Sequence, residues 1–388
     1  MMKKKILFIN TVNGFASTGN ISADLCRLPD YETLLCYGRK KNYTGVDSFK
    51  FANLPDNISG ALSTIFFDNN LNICKRATKR LIHKIKEFDP DIIHLHNLHG
   101  YYLNVELLFS FLKNFNKPVI WTLHDCWSMT GYCPHFDYLG CDKYKTLCKE
   151  CPYGFSYPFS LFKQNVESDY FKKKELFNSI DNLTIVTPSK WLEGIVRSSF
   201  LKNCKLRTIH NGIKLEKFKP TRRKNERFTV LAVSSIWTKQ KGIDDLNKII
   251  PLLDKDIDVI AVGSGSNQIK NCKAIKRTNN IDELIDLYSE SHLFINPTLQ
   301  DTFPTVNLEA LACGIPVIAY NTGGCPEVIN DDCGRIIDKG NYKSFASTII
   351  DFKNNYIFDP EKLIERSKQF DYRNMINSYD QLYKELLN

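Results

Sequence analysis

Residues 301–327 read DTFPTVNLEALACGIPVIAYNTGGCPE, and this stretch decides the fold class. From about Pro304 the pattern is helical. Ala310, Ala312 and Gly314 are small enough for close packing, and Pro316 opens an apolar strand. A helix that runs straight into a buried strand is the repeating unit of a parallel α/β sheet. The amides that open such a helix lack intrahelical acceptors and make a site for anionic or hydroxyl-rich ligands. Two carboxylates frame it, Asp301 before the helix and Glu309 eight positions on. Phosphate repels a carboxylate, so a sugar diol is the natural partner of Glu309.

The same alternation extends in both directions. KILFIN (5–10), DIIHLH (91–96), PVIWTLH (118–124) and NLTIVTPS (182–189) are apolar runs trailed by loops or helices. FTVLAVSS (228–235), IDVIAVGSG (257–265), HLFINPT (292–298) and IPVIAY (315–320) repeat the style. Strands this continuously apolar are covered on both faces, and two sets predict two Rossmann-like domains. The Asn211-Gly212 turn signal and the polar stretch to Asn225 place the boundary. The domains are expected at 1–210 and 211–370. Residues 371–388 form an amphipathic helix with Met375, Ile376, Tyr379, Leu382, Tyr383 and Leu386 on one side.

The length of 388 residues fits two domains, and 43% hydrophobic with 24% charged residues excludes a disordered chain. No apolar run reaches the roughly 20 residues of a membrane span. The opening MMKKKILFIN stops being apolar at Asn10 and Thr11, so it reads as a first strand rather than an export signal. The net charge is +9. Its densest stretch, Lys75, Arg76, Lys79, Arg80, Lys84 and Lys86, alternates with Leu81, Ile82, Ile85 and Phe88 and predicts a helix with a basic face. A solvated sheet-covering helix and adhesion to anionic headgroups are its two readings. No nucleic-acid motif accompanies the charge, and nucleic acid is not an expected partner. Thirteen cysteines without an export signal predict free thiols or metal ligands.

The 301–327 stretch resembles family four of the retaining GT-B glycosyltransferases. That family carries two carboxylates eight positions apart, then A-x-G-x-P-V-I-A and Gly-Gly-x-x-Glu. Here the matching positions are Asp301, Glu309, Ala312, Gly314, Pro316, Val317, Ile318, Ala319, Gly323, Gly324 and Glu327. The resemblance implies a GT-B fold, with two parallel-sheet domains facing across a cleft and the C-terminal helix returning to the N-terminal domain. It implies a cytoplasmic hexosyltransferase, peripheral on the inner membrane face, that acts with retention and without a catalytic metal. The donor would be UDP- or GDP-linked and bound by the C-terminal domain. A surface-polysaccharide or lipid-linked glycan acceptor would bind the N-terminal one. A sugar-nucleotide epimerase and a catalytically silent nucleotide-sugar-binding subunit are the alternatives.

Residue by residue, the resemblance assigns the donor ribose to Glu309 and the transferred sugar to Asp301, one methylene shorter than the family's Glu. The backbone at Phe303, Pro304 and Thr305 would line the sugar pocket. In SSIWTKQKGIDDL (234–246), Lys241 and Gly242 match the diphosphate grip, whereas Ile236 stands where the family has Arg and Lys239 is the available substitute. Gly263, in Val262-Gly263-Ser264-Gly265, would lie near the nucleotide. Gly19, at the end of the small-residue loop NGFASTGNIS (13–22), would precede a helix and let amides approach phosphates. His124 would face the donor sugar. Lys241, Asp301 and His124 are thus the expected catalytic groups. His96 and His99, in HLHNLHG, would line the acceptor cleft without metal. Asp89-Pro90-Asp91 is a turn before a strand rather than a metal-holding D-x-D.

Cys133, Cys141, Cys148 and Cys151 stand in a C-x7-C-x6-C-x2-C pattern. The closing x2 knuckle is a zinc-chelating spacing, and one structural zinc is the expectation. A zinc clip would order a loop of about 28 residues and set Tyr132, His135, Phe136 and Tyr138 beside an acceptor.

Overall fold

The apolar runs that end in Asn, Thr or Gly become strands, and every pairing between them is parallel. The computed structural model describes residues 3–152, 157–278, 280–356 and 358–388. The first sheet contains β1 (Lys4–Asn10), β2 (Tyr31–Tyr37), β3 (Ser48–Lys50), β4 (Ile92–Leu95), β5 (Val119–Thr122), β6 (Leu183–Thr187) and β7 (Lys205–Thr208). The second contains β8 (Phe228–Ile236), β9 (Ile257–Ser264), β10 (Lys273–Ile275), β11 (Leu293–Asn296), β12 (Val317–Tyr320) and β13 (Gly334–Ile337).

Their spatial orders are β3-β2-β1-β4-β5-β6-β7 and β10-β9-β8-β11-β12-β13. Both are doubly wound, and the winding reverses between β1 and β4 and again between β8 and β11. Ligands of such sheets bind beyond the carboxyl ends of the strands at that reversal. Alternation fixes the packing of the second sheet. Val230, Ala232, Ile318 and Tyr320 face one apolar cluster. Leu231, Val317 and Ala319 face another on the opposite side.

The chain forms two compact units. One comprises residues 1–188, 192–209 and 376–388, and the other residues 189–191 and 210–375. The tail is a helix, Tyr372–Leu387. Its Tyr379 hydroxyl hydrogen-bonds Thr122 Oγ1 at 2.9 Å and its Tyr383 hydroxyl bonds His94 Nδ1 at 2.8 Å, which returns the C-terminus to the first unit.

Two readings of local structure change. The 13–22 segment is not a loop throughout, because a helix starts at Ala16 and encloses Gly19 in its first turns. Gly19 is buried, and its carbonyl accepts from the Gly14 amide at 3.1 Å, so its small size serves packing. The cysteine-bearing loop also has a scaffold of its own. Three short 3-10 turns run through it, Trp127–Met129, Asp137–Leu139 and Lys143–Lys145. The Cys126 amide donates to Pro134 O at 2.7 Å, and Phe136 stacks on Tyr144 at 4.3 Å.

Candidate functional site

In the second unit, the reversal between β8 and β11 collects the charged groups. Past β8, Thr238 caps a single 3-10 turn, Lys239–Lys241, and the chain reverses at Gly242 (φ +82°). A Cβ there would lie 2.1 Å from Pro297 O, so only glycine lets this turn sit against the segment after β11. Lys241 Nζ consequently reaches Asp301 Oδ2 at 2.5 Å. Asp301 Oδ1 accepts from the Phe303 amide at 3.1 Å. Gly323 closes the turn from below: a Cβ there would lie 1.7 Å from Asp301 O.

The helix Thr305–Ala312 follows, and no side chain caps its N-terminus. The Asn307 amide donates to Pro304 O at 3.3 Å, which leaves the Thr305 and Val306 amides for an outside acceptor. Glu309 Oε2 accepts from the Tyr288 hydroxyl at 3.0 Å, and the Thr305 hydroxyl also bonds it. Burial raises the Glu309 carboxyl from its ordinary value to about 7, against the lowering effect of those two hydrogen bonds. A carboxylate held half in and half out of the protein gains from a diol that donates two hydrogen bonds to it.

Not every expected donor contact keeps the predicted form. Phe303 is a buried ring, 5.2 Å from His210 and 5.8 Å from Phe370, and its amide is already engaged by Asp301. It shapes the floor rather than offering an N–H. Gly263 lies on β9 against Ser234 of β8. Ile236 ends β8 with 54% of its surface exposed, and Lys239 is exposed beyond it.

Glu327 acts in a way the sequence did not reveal. Its carboxylate accepts from the amides of Lys190 at 2.9 Å and Trp191 at 2.8 Å, and bonds His210 Nε2 at 2.8 Å. Burial opposes its ionisation, but these three partners hold its carboxyl below the usual value. The last position of the Gly-Gly-x-x-Glu element is thus a cross-brace within the second unit.

In the first unit, histidines line the end of β4. His94 is satisfied on both sides, by Tyr383 and by Thr122 Oγ1 at 2.8 Å. His96 stacks between His94 and His124, at 4.4 and 5.3 Å, and its Nδ1 bonds His124 Nε2 at 3.0 Å. Desolvation lowers all three, His94 to about 3 and His124 to about 4, so the stack is neutral at physiological pH. His99 is oriented by Asp125 Oδ2 at 2.7 Å and the Tyr157 hydroxyl at 2.8 Å. Burial alone would raise Asp125, but the charge and hydrogen bond of His99 carry it down to about 2.

A small pocket is lined by His96, His99, His124, Asp125 and Ser128. Buried His96 Nε2 and Ser128 Oγ make no hydrogen bond within the protein. Buried polar atoms are almost always paired, so these two are poised to receive a hydroxyl.

The loop after His124 is anchored from beneath by Lys173, a fully buried lysine. It donates to Trp127 O at 2.8 Å and Thr130 O at 3.0 Å, and lies 3.6 Å from the Trp127 ring centroid. Tyr132 is buried rather than presented, whereas His135 is partly exposed. All four loop cysteines are free thiols near enough to feel one another's charge. Among the described residues no group of three or more His, Cys, Asp or Glu side chains is arranged to hold a metal ion.

Comparisons with known proteins meet this geometry domain by domain. Residues 33–217 match the family described as Glycosyltransferase Family 4, and residues 227–355 match that described as Glycosyl transferases group 1. The putative colanic acid biosynthesis glycosyl transferase WcaC of Escherichia coli is 26% identical over 272 residues, 64% of each chain. The capsular polysaccharide biosynthesis glycosyltransferase CapM of Staphylococcus aureus is 30% identical over 182 residues, 40% of this chain and 48% of that one. Each alignment spans less than two thirds of the relative. Among solved structures, sucrose-phosphate synthase from Thermosynechococcus elongatus superposes with a TM-score of 0.72 at 15% identity, covering 99% of both chains. HepE from Anabaena, solved with UDP and glucose, superposes with a TM-score of 0.67 at 15% identity, covering 98% of this chain and 99% of that one.

Proposed function

This chain belongs to the GT-B glycosyltransferases that join a family 4 domain to a group 1 domain, and from that premise we propose that it moves a sugar from a nucleotide donor onto an acceptor in polysaccharide or cell-envelope biosynthesis. The observation that carries the reading is the placement of Lys241, Asp301 and Glu309 at one strand reversal, beside an uncapped helix N-terminus.

In this reading the second unit holds the donor. Glu309 accepts from the ribose diol. The opening amides of Thr305–Ala312 and the Lys241 ammonium take up the diphosphate. Asp301 accepts from hydroxyls of the sugar while steering Lys241. As the glycosidic bond breaks, negative charge grows on the leaving diphosphate. A fixed ammonium and aligned amides stabilise that charge without a divalent ion. The donor is UDP- or GDP-linked, the sugar a hexose, and transfer proceeds with retention. The Asp301 carboxylate is already paired with Lys241, which favours same-face attack assisted by the leaving phosphate.

The acceptor belongs to the first unit, where His96, His99, His124 and Ser128 gather at the end of β4. The Nε2 of the neutral His96 imidazole and the Ser128 hydroxyl, neither hydrogen-bonded within the protein, suit a sugar hydroxyl better than an anion.

Thermal-shift titration with UDP, GDP, ADP and CMP tests the donor half, because a bound ligand raises stability with the logarithm of its excess over Kd. A shift with UDP or GDP that disappears in Glu309→Gln supports the reading. No shift with any of the four sinks it.

A further inference from the structure

The helix Thr305–Ala312 has about two turns, and a helix so short holds its place through tertiary contacts rather than its own stability. Leu308, Ala310 and Leu311 supply apolar packing, which is not directional. Asn307 is of another kind. It lies fully buried among these residues, in the first turn. Asparagine is a weaker helix former than leucine or alanine, and burying its amide is unfavourable unless both ends are paired. Here both ends are paired. Asn307 Oδ1 accepts from Asn296 Nδ2 at 2.9 Å, and Asn307 Nδ2 donates to Cys325 Sγ at 3.6 Å.

The two partners belong to different elements. Asn296 ends β11, and Cys325 opens the short helix Cys325–Val328 that follows β12. β11 and β12 are paired neighbours in the sheet, so one side-chain amide ties the first turn of Thr305–Ala312 to the carboxyl ends of both strands. The line runs in one direction, from Asn296 through Asn307 to Cys325. Cys325 is fully buried, and burial pushes its thiol up to about 12. The sulfur therefore stays protonated and serves as an uncharged acceptor. It also lies close enough to Asp301 and Lys241 to feel their charges. One residue earlier, the Gly324 amide donates to Thr302 O at 3.1 Å. The frame that grips Asn307 is thus the frame that holds the Lys241–Asp301 pair.

We infer that Asn307 is a positioning residue for the donor site. Its amide, fixed between Asn296 and the Cys325 sulfur, sets the rotation of Thr305–Ala312 about its own axis. That rotation aims the Thr305 and Val306 amides and the Glu309 carboxylate together. Apolar packing tolerates small slides and turns, whereas one planar amide that accepts on one side and donates on the other does not. Buried polar groups that are fully paired rigidify the elements they join. This role rests on the donor reading of the site. It adds to that reading a requirement at position 325, where the side chain must be able to accept a hydrogen bond.

The test titrates UDP, GDP and ADP into the full chain by calorimetry and compares Asn307→Leu, Cys325→Ala and Cys325→Ser. Serine keeps an acceptor at position 325, and alanine does not. Asn307→Leu and Cys325→Ala should each weaken the nucleoside diphosphate that binds the wild type by roughly tenfold. Cys325→Ser should recover most of that loss. The Asn307→Leu/Cys325→Ala double variant should bind little worse than either single one, because each already breaks the same line. Far-UV circular dichroism and Tm confirm folding, and the Cys325 pair decides alone if Asn307→Leu does not fold. A folded Cys325→Ala chain that binds like wild type, whatever its Tm, overturns the positioning role. So does Cys325→Ser that binds no better than Cys325→Ala, or losses that simply add in the double variant. Wild-type protein that takes up none of the three nucleotides removes the donor reading itself, and the positioning role with it.

Discussion

Lys241 Nζ lies 2.5 Å from Asp301 Oδ2, although 60 positions separate the two residues, because the turns after β8 and β11 meet at the reversal of the sheet. Both side chains keep part of their surface open, 33% and 21%. A pair so placed contributes under about 1 kcal/mol to stability, so its value is positional. The carboxylate aims the ammonium at the space beside the helix Thr305–Ala312.

Removing either member should therefore leave folding nearly intact and change catalysis. Lys241→Ala is expected to lower kcat by roughly a hundredfold, with a smaller rise in donor KM, because the diphosphate charge it meets grows only as the bond breaks. Asp301→Asn is expected to lower kcat while the Kd for the nucleoside diphosphate holds or improves, since the freed ammonium then pairs with phosphate. Steady-state kinetics and calorimetry read both. A pure KM effect in Lys241→Ala would make the lysine a tether. Activity should also persist in EDTA, and a loss that Mg²⁺ or Mn²⁺ restores would overturn metal-independent transfer.

Glu309 carries the pH dependence of the nucleotide site. Burial holds its folded carboxyl at about 7, above the ordinary 4.5. The native state therefore keeps a proton that the unfolded chain has lost, and stability declines as pH rises from about 4.5 to about 7. The shift corresponds to about 3 kcal/mol. A ribose diol donates to the ionised form, so nucleotide affinity should rise with pH through about 7. Glu309→Gln should flatten both profiles and weaken the nucleotide by roughly 1.5–3 kcal/mol. Wild-type affinity in that variant would remove the ribose role.

Every central strand of both sheets was legible except β2, because each is a continuous apolar run between helical stretches. Most of the strands that escaped, β3, β10 and β13, are sheet edges of three or four residues that carry charged or half-exposed side chains. The charged site was legible through the spacing of Asp301, Glu309 and Glu327. The roles of Glu327 and Lys173 were not. Glu327 finds its partners 117 to 137 positions away. Lys173 sits inside Lys172-Lys173-Lys174, a run that reads as solvated, yet only its middle member is buried. The outward turn of Leu54, Ile58, Leu62 and Phe66 on the helix Leu54–Phe67, whose buried residues are Gly60 and Thr64, was hidden for a third reason. A sequence shows which residues share a helix face but not whether that face turns toward the core.

Glu327 should prove structural rather than catalytic. Its folded carboxyl lies below the ordinary value, so its contribution is present above the unfolded value near 4.5 and disappears as pH falls through the folded one. Glu327→Ala strands two amides and His210 and is expected to cost about 2–3 kcal/mol. Chemical denaturation at neutral pH should show that loss and acid should diminish it, while kcat in the protein that remains folded falls less than tenfold. A kcat loss as deep as that of Lys241→Ala, without loss of stability, would place Glu327 in the chemistry instead.

The loop after His124 tests zinc against protein contacts as the source of its order. Lys173 and the 3-10 turns already fix residues 126–145, so the loop does not need a metal merely to be ordered. What they leave unexplained is the convergence of four thiols. Burial raises Cys133 first, and Cys151, Cys148 and Cys141 each add to that rise, so the Cys133 thiol is costly to ionise in the chain alone. A divalent cation reverses that cost by holding the sulfurs as thiolates. The expected result is about one zinc per chain in protein purified without added metal, lost in Cys148→Ser/Cys151→Ser together with several degrees of Tm. Because four thiolates leave no open position for a reacting water, the zinc should be structural, and the variant's remaining folded fraction should keep its donor affinity. Metal-free protein with wild-type Tm and activity would assign the order of this loop to Lys173 and its hydrogen bonds alone.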